Sequence, residues 1–528
     1  MGEIRDEFSR AGTPPAVVLI LAASLAAAVL FVWLSDIRRV ISLVSDDSGY
    51  FLEIAENVAA GRGFTFDGLN GTTGYQPLWL YLLAFLHLVT SAGPETMLRV
   101  CVSLQAALLF SAGMIFYRFH SAAYSTRTGL VSAVAFAVFV FFPCLNGMES
   151  ALLVFMLALL LYAGWKGRIF SSSPGWRHLV FGMVLGLTVL ARLDAVFVAA
   201  SLALCWFAYV MRKRAGAREE WGRLLFAGAG AALVLAPYLL HNLISTGSVM
   251  PISGSLKSTF PHLSMSGYGL SRLSGKDWGK IAAAVLFLLW YILPRRARGS
   301  RGREFFRSAL AVLCLSVLFH LAHTALFMKW AVFRWHFVTY SVAGVFVLSE
   351  PVEFLLSRIP RRMLAAAWIP AFVILLAAGS FLAKGKLVRP YEWTVQAYEA
   401  ALWARNGTAP DDIFGMKDAG IFGYFSGRRV VNLDGVANDG RYQEVLRSGT
   451  LGEYLDELGV AYIAQHSIWH REDVVAGDYS TYIQEYPCRK YDGTGDSIEL
   501  ARENEAYRSP EYFDGAFDTV FLVWRLPR

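Results

Sequence analysis

The feature that most constrains this chain is a series of apolar runs of membrane-spanning length, separated by short basic loops. A spanning helix needs roughly 20 apolar residues. In hydrocarbon its backbone N–H and C=O groups must be satisfied within the segment, so such runs fold as helices. With 528 residues, 55% hydrophobic and 17% charged, the chain is too apolar for a soluble protein. It reads as a polytopic α-helical membrane protein with about eleven transmembrane helices. The candidate spans are residues 16–34, 97–117, 129–145, 150–165, 179–193, 195–211, 223–241, 278–293, 305–327, 335–350 and 363–383.

The loops between these spans set the expected topology. Basic clusters fall at Arg118 and Arg127, at Lys166, Arg168 and Arg177, from Arg212 to Arg223, from Arg295 to Arg307, and from Arg358 to Arg362. The positive-inside rule places all of them on the cytoplasmic face. Gln76 to Ser91 is also apolar, but it carries His87 and is only about 16 residues long, and crossing there would put the loops at Arg212 and Arg295 outside. It is therefore expected as an interfacial or re-entrant helix on the outer side. Arg5 and Arg10 precede the first span in the manner of a signal peptide, yet candidate chemistry begins close behind it, so it is read as a retained anchor.

Charge also divides the chain. Residues 1–383 carry 32 Lys+Arg against 18 Asp+Glu, whereas residues 384–528 carry 16 against 23. A transmembrane domain is expected over 1–383, with a first extracytoplasmic loop at 35–96, followed by a soluble extracytoplasmic domain over 384–528. Cys101, Cys144, Cys205, Cys314 and Cys488 lie far apart, which gives neither a zinc spacing nor a disulfide framework.

The outward loops hold the polar residues that such a protein must justify. Asp46 and Asp47 stand just beyond the first span, and carboxylates beside a membrane either pair or do chemistry. They open an amphipathic helix with Tyr50, Phe51, Ile54, Ala55 and Val58 on one face. Asp47 or Ser48 can cap that helix, which leaves Asp46 without a structural duty. Gly61-Arg62-Gly63-Phe64-Thr65-Phe66-Asp67-Gly68 and Thr73-Gly74-Tyr75-Gln76-Pro77-Leu78-Trp79 follow. Glu149, in Asn146-Gly147-Met148-Glu149-Ser150, is another acid at a helix end and can serve as a cap. Arg192 and Asp194 interrupt a nearly uncharged stretch; they can form a buried ion pair, and the forked donors of an Arg also suit a phosphate. Further on come Tyr238, His241, Asn242 and Lys257, and then Lys329-Trp330-Ala331-Val332-Phe333-Arg334-Trp335-His336. An aromatic belt with snorkelling cations accounts for that last cluster as well as a ligand does.

In order and content these motifs resemble the bacterial class C glycosyltransferases, membrane enzymes that take a sugar from a polyprenyl-phosphate carrier. The likeness rests on the paired acids, Gly-x-Gly-Phe-Thr-Phe-Asp-Gly, Gly-Tyr-Gln-Pro-Leu-Trp, Asn-Gly-Met-Glu-Ser, Ala-Arg-Leu-Asp and the Pro-x-Ser-x-x-x-Lys ending at Lys257, across residues 40 to 340. It is similar to the protein mannosyltransferases, aminoarabinose transferases and arabinofuranosyltransferases. Where many relatives carry Pro between Arg and Asp in the fourth motif, this chain has Leu193. The resemblance implies that Asp46 is the catalytic acid of the first loop, beside Asp47, and that Glu149 is an acid of the second.

The chemistry asks for a compatible set. A polyprenyl phosphate is already a competent leaving group, so one general base suffices and attack from the opposite face inverts the anomeric centre. Asp46 is assigned as that base. Arg192, Lys257, Arg334 and His336 are assigned to the donor phosphate, and Tyr75, Gln76, Asp194 and Asn242 to substrate. No cofactor is expected. Some class members with diphosphate donors use a divalent metal, but no metal-ligand spacing occurs here, so none is expected. The expected partners are the lipid-linked donor, a hydroxyl-bearing glycan, lipid or protein acceptor, and the bilayer of a bacterial plasma membrane, with the N-terminus cytoplasmic; nucleic acid is not among them.

The tail reads as a small α/β domain, with strands at Asp412–Met416, Arg429–Asn432 and Val460–Ala464 and helices at Tyr442–Arg447 and Leu451–Leu458. Asp434 and Asp439 can touch an acceptor, although carboxylates are common in turns. A flippase of lipid-linked sugars is the alternative function, but no internal repeat or paired broken helices of the transporter kind are apparent.

Overall fold

In a computed structural model, residues 15–169, 173–212, 216–264, 267–271, 273–293, 301–330, 332–359, 392–470, 483–489, 495–513 and 517–527 are described. Among them, helices long and apolar enough to span a membrane are Pro15–Leu34, Pro94–Ala123, Thr126–Cys144, Ser150–Gly167, Leu193–Arg212, Ala217–Thr246, Gly302–Phe327 and Arg334–Arg358. The chain is a polytopic helical membrane protein with a small sheet domain at its C-terminus. The expected number of eleven spans is not reproduced. Helix Gly175–Ala191 has 17 residues, helix Gly275–Ile292 carries Lys276, Asp277 and Lys280, and the expected span 363–383 and the domain boundary at 383/384 lie outside the described residues.

Pro77–Thr90 forms a helix of 14 residues, about 21 Å long at 1.5 Å per residue, against a hydrocarbon core of about 30 Å. Trp79, Leu80, Leu83 and Ala84 are buried while Tyr81, Phe85, Leu88 and Val89 are exposed. One apolar face meets protein and the other apolar face is exposed, and the helix is too short for a straight crossing.

Small residues decide how the bundle closes. A Cβ on Gly182 would stand 1.9 Å from the carbonyl oxygen of Ala227, and one on Gly230 would stand 2.1 Å from that of Leu179. Helices Gly175–Ala191 and Ala217–Thr246 therefore touch backbone to backbone, a contact membrane helices make where Gly stands in both. Their close packing fixes the end of the first helix, where Arg192 begins an extended residue and the chain turns.

The tail opens with helix Glu392–Gly407. Its main sheet has the order β2-β1-β3-β8-β6, formed by Arg429–Asn432, Ile413–Met416, Val460–His470, Phe517–Arg525 and Glu505–Arg508. β7 (Tyr512–Phe513) pairs with β8, and β4 (Ile483–Arg489) pairs with β5 (Gly495–Ala501) in a separate ribbon. β1 lies parallel to both β2 and β3, with β8 antiparallel to β3. The expected strands and helices of the tail are present, and the third strand continues to His470. In a sheet of this kind the loops leaving the carboxyl ends of parallel strands form a crevice. Here those loops are 417–420 after β1 and 433–436 after β2, and both face the membrane domain.

Glycine again sets the approach. A Cβ on Gly49 would stand 2.0 Å from the Gly420 carbonyl oxygen, and one on Gly74 would stand 1.8 Å from that of Val436. Tyr398 Oη donates to Glu95 (2.7 Å), Thr394 Oγ1 donates to the Ile41 carbonyl (3.3 Å), and Arg38 pairs with Glu399. One continuous apolar core runs from the bundle into the tail, including Trp79, Leu98, Ala397, Phe422 and Phe521.

Gly74→Ala forces backbone against backbone, and overpacking of this kind costs about 1–3 kcal/mol. The purified variant is expected to show a thermal midpoint several degrees lower and faster proteolytic release of the tail. Gly222→Ala, where a Cβ meets nothing within 4 Å, serves as the control and should leave both unchanged; equal behaviour of the two variants contradicts the packing argument.

Candidate active site

Asp46 sits at the N-cap position of helix Asp47–Ala59, but its own backbone is helical (φ −54°, ψ −43°) and its side chain makes no cap to that helix. Its carboxylate instead accepts the backbone N–H groups of Gly420 (3.0 Å) and Ile421 (3.0 Å), at the start of the tail helix Gly420–Ser426. Contrary to the sequence expectation, Asp46 has a structural duty: it binds the tail to the first loop. Burial, with Asp418 and Asp47 nearby, raises its pKa well above the usual carboxylate value against the pull of the two amides.

Tyr50, one helical turn on, forms the second tie. Its hydroxyl accepts from the Ala419 N–H (2.7 Å) and from Asn432 Nδ2 (2.8 Å), and donates to Asp434 Oδ2 (3.2 Å). Asp434 also accepts the N–H groups of Asp418 (3.0 Å) and Val436 (2.9 Å). Its carboxylate is spent on holding the β1 and β2 loops in place. The neighbouring acids differ. Among the described residues, neither Asp47 nor Asp418 has a hydrogen-bond partner for its carboxylate; Asp47 is half-buried and Asp418 is exposed. Burial raises the Asp47 pKa, Lys257 opposes the rise and Asp434 adds to it.

The second loop is pinned from several sides. The Gly147 N–H donates to Gln105 Oε1 (3.1 Å), Gln105 Nε2 donates to the Met148 carbonyl (2.5 Å), and Trp79 Nε1 donates to the Gly147 carbonyl (3.3 Å). Gly147 has φ +76°, and a Cβ there would stand 2.5 Å from Ser48 Cβ, so a side chain is excluded on both counts. This loop delivers Glu149, which is 2% exposed and accepts no cap bond from the helix it precedes. Burial raises its pKa and Arg192 opposes the rise.

Arg192 is 3% exposed and lies 3.6 Å from Glu149 Oε1 and 2.9 Å from Asp194 Oδ2. It also donates from Nη1 to the Trp335 carbonyl. Gln76 Oε1 accepts the Leu193 N–H (2.9 Å), so the Gln of the first loop caps the break between helices that Leu193 occupies. The geometry at that break is thus held with Leu193 between Arg192 and Asp194. Lys257, at the end of the short helix Ile252–Lys257, stands over the Trp330 ring with Nζ 5.7 Å from the centroid. The Ile252 N–H donates to Thr73 Oγ1 (3.1 Å), tying this loop to the first one.

The structure therefore brings Asp47, Glu149, Arg192, Asp194, Lys257 and His336 into mutual electrostatic range. Gln76 supports them. Arg334 is not part of the group: it is exposed and makes no ion pair among the described residues. Tyr75 and Asn242 lie to one side in an aromatic cluster, where Tyr75 stacks on Phe64 (5.4 Å) and Phe64 meets His241 (5.2 Å). The motif residue Asp67 is consumed locally, accepting the N–H groups of Leu69 and Asn70. No group of three or more His, Cys, Asp or Glu suited to a metal ion occurs among the described residues.

Sequence reasoning missed Tyr50 as a tie and Asp418 as an open carboxylate. It also missed His320 and His323, which bond to Tyr340 Oη (2.9 Å) and Ser258 Oγ (3.2 Å) and lie close to Asp194. Two histidines in an otherwise apolar span are a signal in themselves, since ionisable groups in membrane helices face the interior or a polar cavity.

With that geometry in view, ArnT of Cupriavidus metallidurans, solved bound to undecaprenyl phosphate, matches over 91% of this chain and 97% of its own, with a TM-score of 0.56 and 12% identity. The chain has the class C glycosyltransferase fold. The oligosaccharyltransferase AglB of Archaeoglobus fulgidus, in complex with an inhibitory peptide and a dolichol-phosphate, matches over 85% of this chain and 69% of that one, with a TM-score of 0.49 and 12% identity. The mycobacterial arabinofuranosyltransferase AftD matches over 84% and 36%, with a TM-score of 0.42 and 13% identity. The family model matching residues 386–508 is a domain of unknown function, DUF8728. By sequence, no curated protein matches the chain. Within the class C fold, the paired-acid loop is the element to which the tail is fastened.

Partial loss of hydration between the two domains, with Asp434 and Asp47 nearby, pushes the Asp418 pKa up to about 7, above the usual carboxylate range, against Lys417 and Lys257. A carboxylate with a raised folded-state pKa stabilises fully below the unfolded value, and that contribution is lost as pH rises through the folded one. Asp418→Asn removes the ionisation, so it should raise the thermal midpoint at pH 7.5 relative to the parent and raise it much less at pH 4.5, only just above the unfolded value. Thermal scans of both proteins at the two pH values check this, and a shift of equal size at each contradicts it.

Proposed function

We propose that this protein is an inverting glycosyltransferase that moves a sugar from a polyprenyl-phosphate carrier to a hydroxyl acceptor. The observation that carries the reading is one carboxylate without a hydrogen-bond partner among the described residues, Asp47, within electrostatic range of Lys257 and of Glu149, which itself pairs with Arg192; these groups line the proposed cleft. That ArnT was solved with undecaprenyl phosphate in a chain of the same fold supports a lipid-phosphate donor. Basic loops on one face and these acids on the other support a reaction at the extracytoplasmic surface of a bacterial plasma membrane, serving envelope glycan, glycolipid or glycoprotein synthesis.

The roles divide as follows. Lys257 and Arg192 receive the donor phosphate, and Arg192 keeps Nη2 without a partner among the described residues after serving Asp194 and Trp335. Glu149 and Asp194 hold that guanidinium in place, which makes them positioning residues. Asp47 takes the proton of the acceptor hydroxyl as its oxygen attacks the anomeric carbon. The bond from that carbon to the phosphate oxygen breaks, and the leaving phosphate keeps the electron pair, its charge offset by Lys257 and Arg192. The base is therefore Asp47, while Asp46 fastens the tail.

Asp47→Asn should reduce turnover by about 100- to 10,000-fold, the usual span of a general base, with donor binding intact. Asp46→Asn should chiefly loosen the tail, seen as faster proteolysis, and lower turnover by less. Turnover of both with membranes that supply labelled lipid-linked sugar decides the assignment; a larger loss in Asp46→Asn at intact tail docking would return the base to Asp46.

Loss of a cation paired with a partly buried phosphate costs about 2–5 kcal/mol. Lys257→Met should weaken binding of farnesyl phosphate by tens-fold or more, whereas Arg334→Met, at an exposed position, should leave it unchanged. Unchanged affinity in Lys257→Met would remove Lys257 from the donor site.

A further inference from the structure

The cleft is electrically divided, and the division follows the two domains. Arg192 and Lys257 come from the membrane domain, with Glu149 and Asp194 already engaged on Arg192. At the other end the tail contributes Asp418 and Asp434 from the loops after β1 and β2, facing Asp46, Asp47 and Lys257. Of these acids, Asp46 is bound to Gly420 and Ile421, and Asp434 to Tyr50, Asp418 and Val436. Asp47 and Asp418 remain open.

Asp418 is held there by design of the backbone. It adopts φ +47°, a left-handed conformation that non-glycine residues rarely take and that Asp tolerates better than most. Its N–H is tied to Asp434, which fixes the turn that carries the exposed side chain. A second polar group borders the same end. Gln443 is 6% exposed and, among the described residues, neither its amide nitrogen nor its amide oxygen has a partner. It abuts the Asp434–Gly435 turn so closely that a Cβ on Gly435 would stand 2.3 Å from Nε2. Leu256, beside Lys257, closes on the same glycine. An amide with both ends unsatisfied, set beside the turn that holds Asp434 and through it Asp418, matches the mixed donors and acceptors of a sugar hydroxyl array.

We propose that the tail supplies the acceptor subsite, that Asp418 orients the acceptor hydroxyl toward Asp47, and that the acceptor's attacked end is an uncharged polyhydroxyl sugar rather than an anionic group. This rests on the transferase reading above. Carboxylates accept hydrogen bonds from hydroxyls and repel carboxylate or phosphate groups, so an anionic acceptor would meet like charge that, among the described residues, Lys257 and Lys417 offset. The donor phosphate avoids that penalty by entering at the Arg192 and Lys257 end. Asp418 acts through the substrate's position and takes no proton.

The test uses the full-length protein in nanodiscs and matched probes: methyl glycosides of glucose, galactose and mannose, each with its uronide. At least one neutral glycoside is expected to bind at least tenfold more tightly than its uronide. Asp418→Asn, isosteric and tolerant of the same backbone, is expected to shrink that gap to under threefold while farnesyl phosphate still binds. Equal or tighter binding of the uronides, no binding of any neutral glycoside, or an undiminished gap in Asp418→Asn overturns the proposal. Farnesyl phosphate separates the two failures: if the parent binds it and Lys257→Met does not, the donor reading stands and the acceptor inference alone has failed. If the parent does not bind it, the transferase reading itself has failed.

Discussion

Two backbone amides and one carboxylate hold the functional half of this molecule together. Asp46 accepts the N–H groups of Gly420 and Ile421 across the boundary between the membrane domain and the tail. The start of a helix leaves its first N–H groups without partners, and a buried donor without a partner costs about 1–3 kcal/mol. Asp46 satisfies two of them. Gly49 and Gly74 let the backbones come close enough for this to happen, and Tyr50 extends the contact to Asp434. Everything assigned to the cleft depends on that docking, because Asp47 follows Asp46 directly and Asp418 lies two residues before Gly420.

The docking explains why paired acids are needed where one base would suffice. Adjacent residues entering a helix point in different directions. One of the two can therefore bind the tail while the other faces the cleft. The same economy holds in the second loop, where Gln105 and Trp79 clamp the backbone of Gly147 and Met148 so that Glu149 is fixed without using its own oxygens. Glu149 and Asp194 then grip Arg192, a buried cation that would be costly without them.

Much of this was legible in the sequence. Apolar length gave the spans, because hydrocarbon leaves the backbone few alternatives, and the acids, Arg192 and Lys257 stood out as charges beside the membrane. The alternation of strands and helices in the tail was also readable. What could not be read was direction. Asp46 and Asp47 are chemically identical in the chain, and only the position of Gly420, more than 370 residues away, decides which one is occupied. Arg334 and Lys257 likewise look equivalent as cations near aromatic residues, yet one is exposed while the other reaches the cleft. Two of the expected spans miss the length criterion for a local reason, the charges in Gly275–Ile292 and the shortness of Gly175–Ala191, while 363–383 lies outside the described residues.

The central claim is that the membrane domain and the docked tail build one cleft, with the donor phosphate at its cationic end and Asp47 facing it. A cryo-EM map of the full-length protein with farnesyl phosphate tests this most directly. The account predicts phosphate density within about 4 Å of both Lys257 and Arg192, with the Asp47 carboxylate turned toward the same space and Asp46 still bound to the tail. Phosphate density at Arg334 on the exposed surface, or Asp46 rather than Asp47 facing the lipid phosphate, would contradict it.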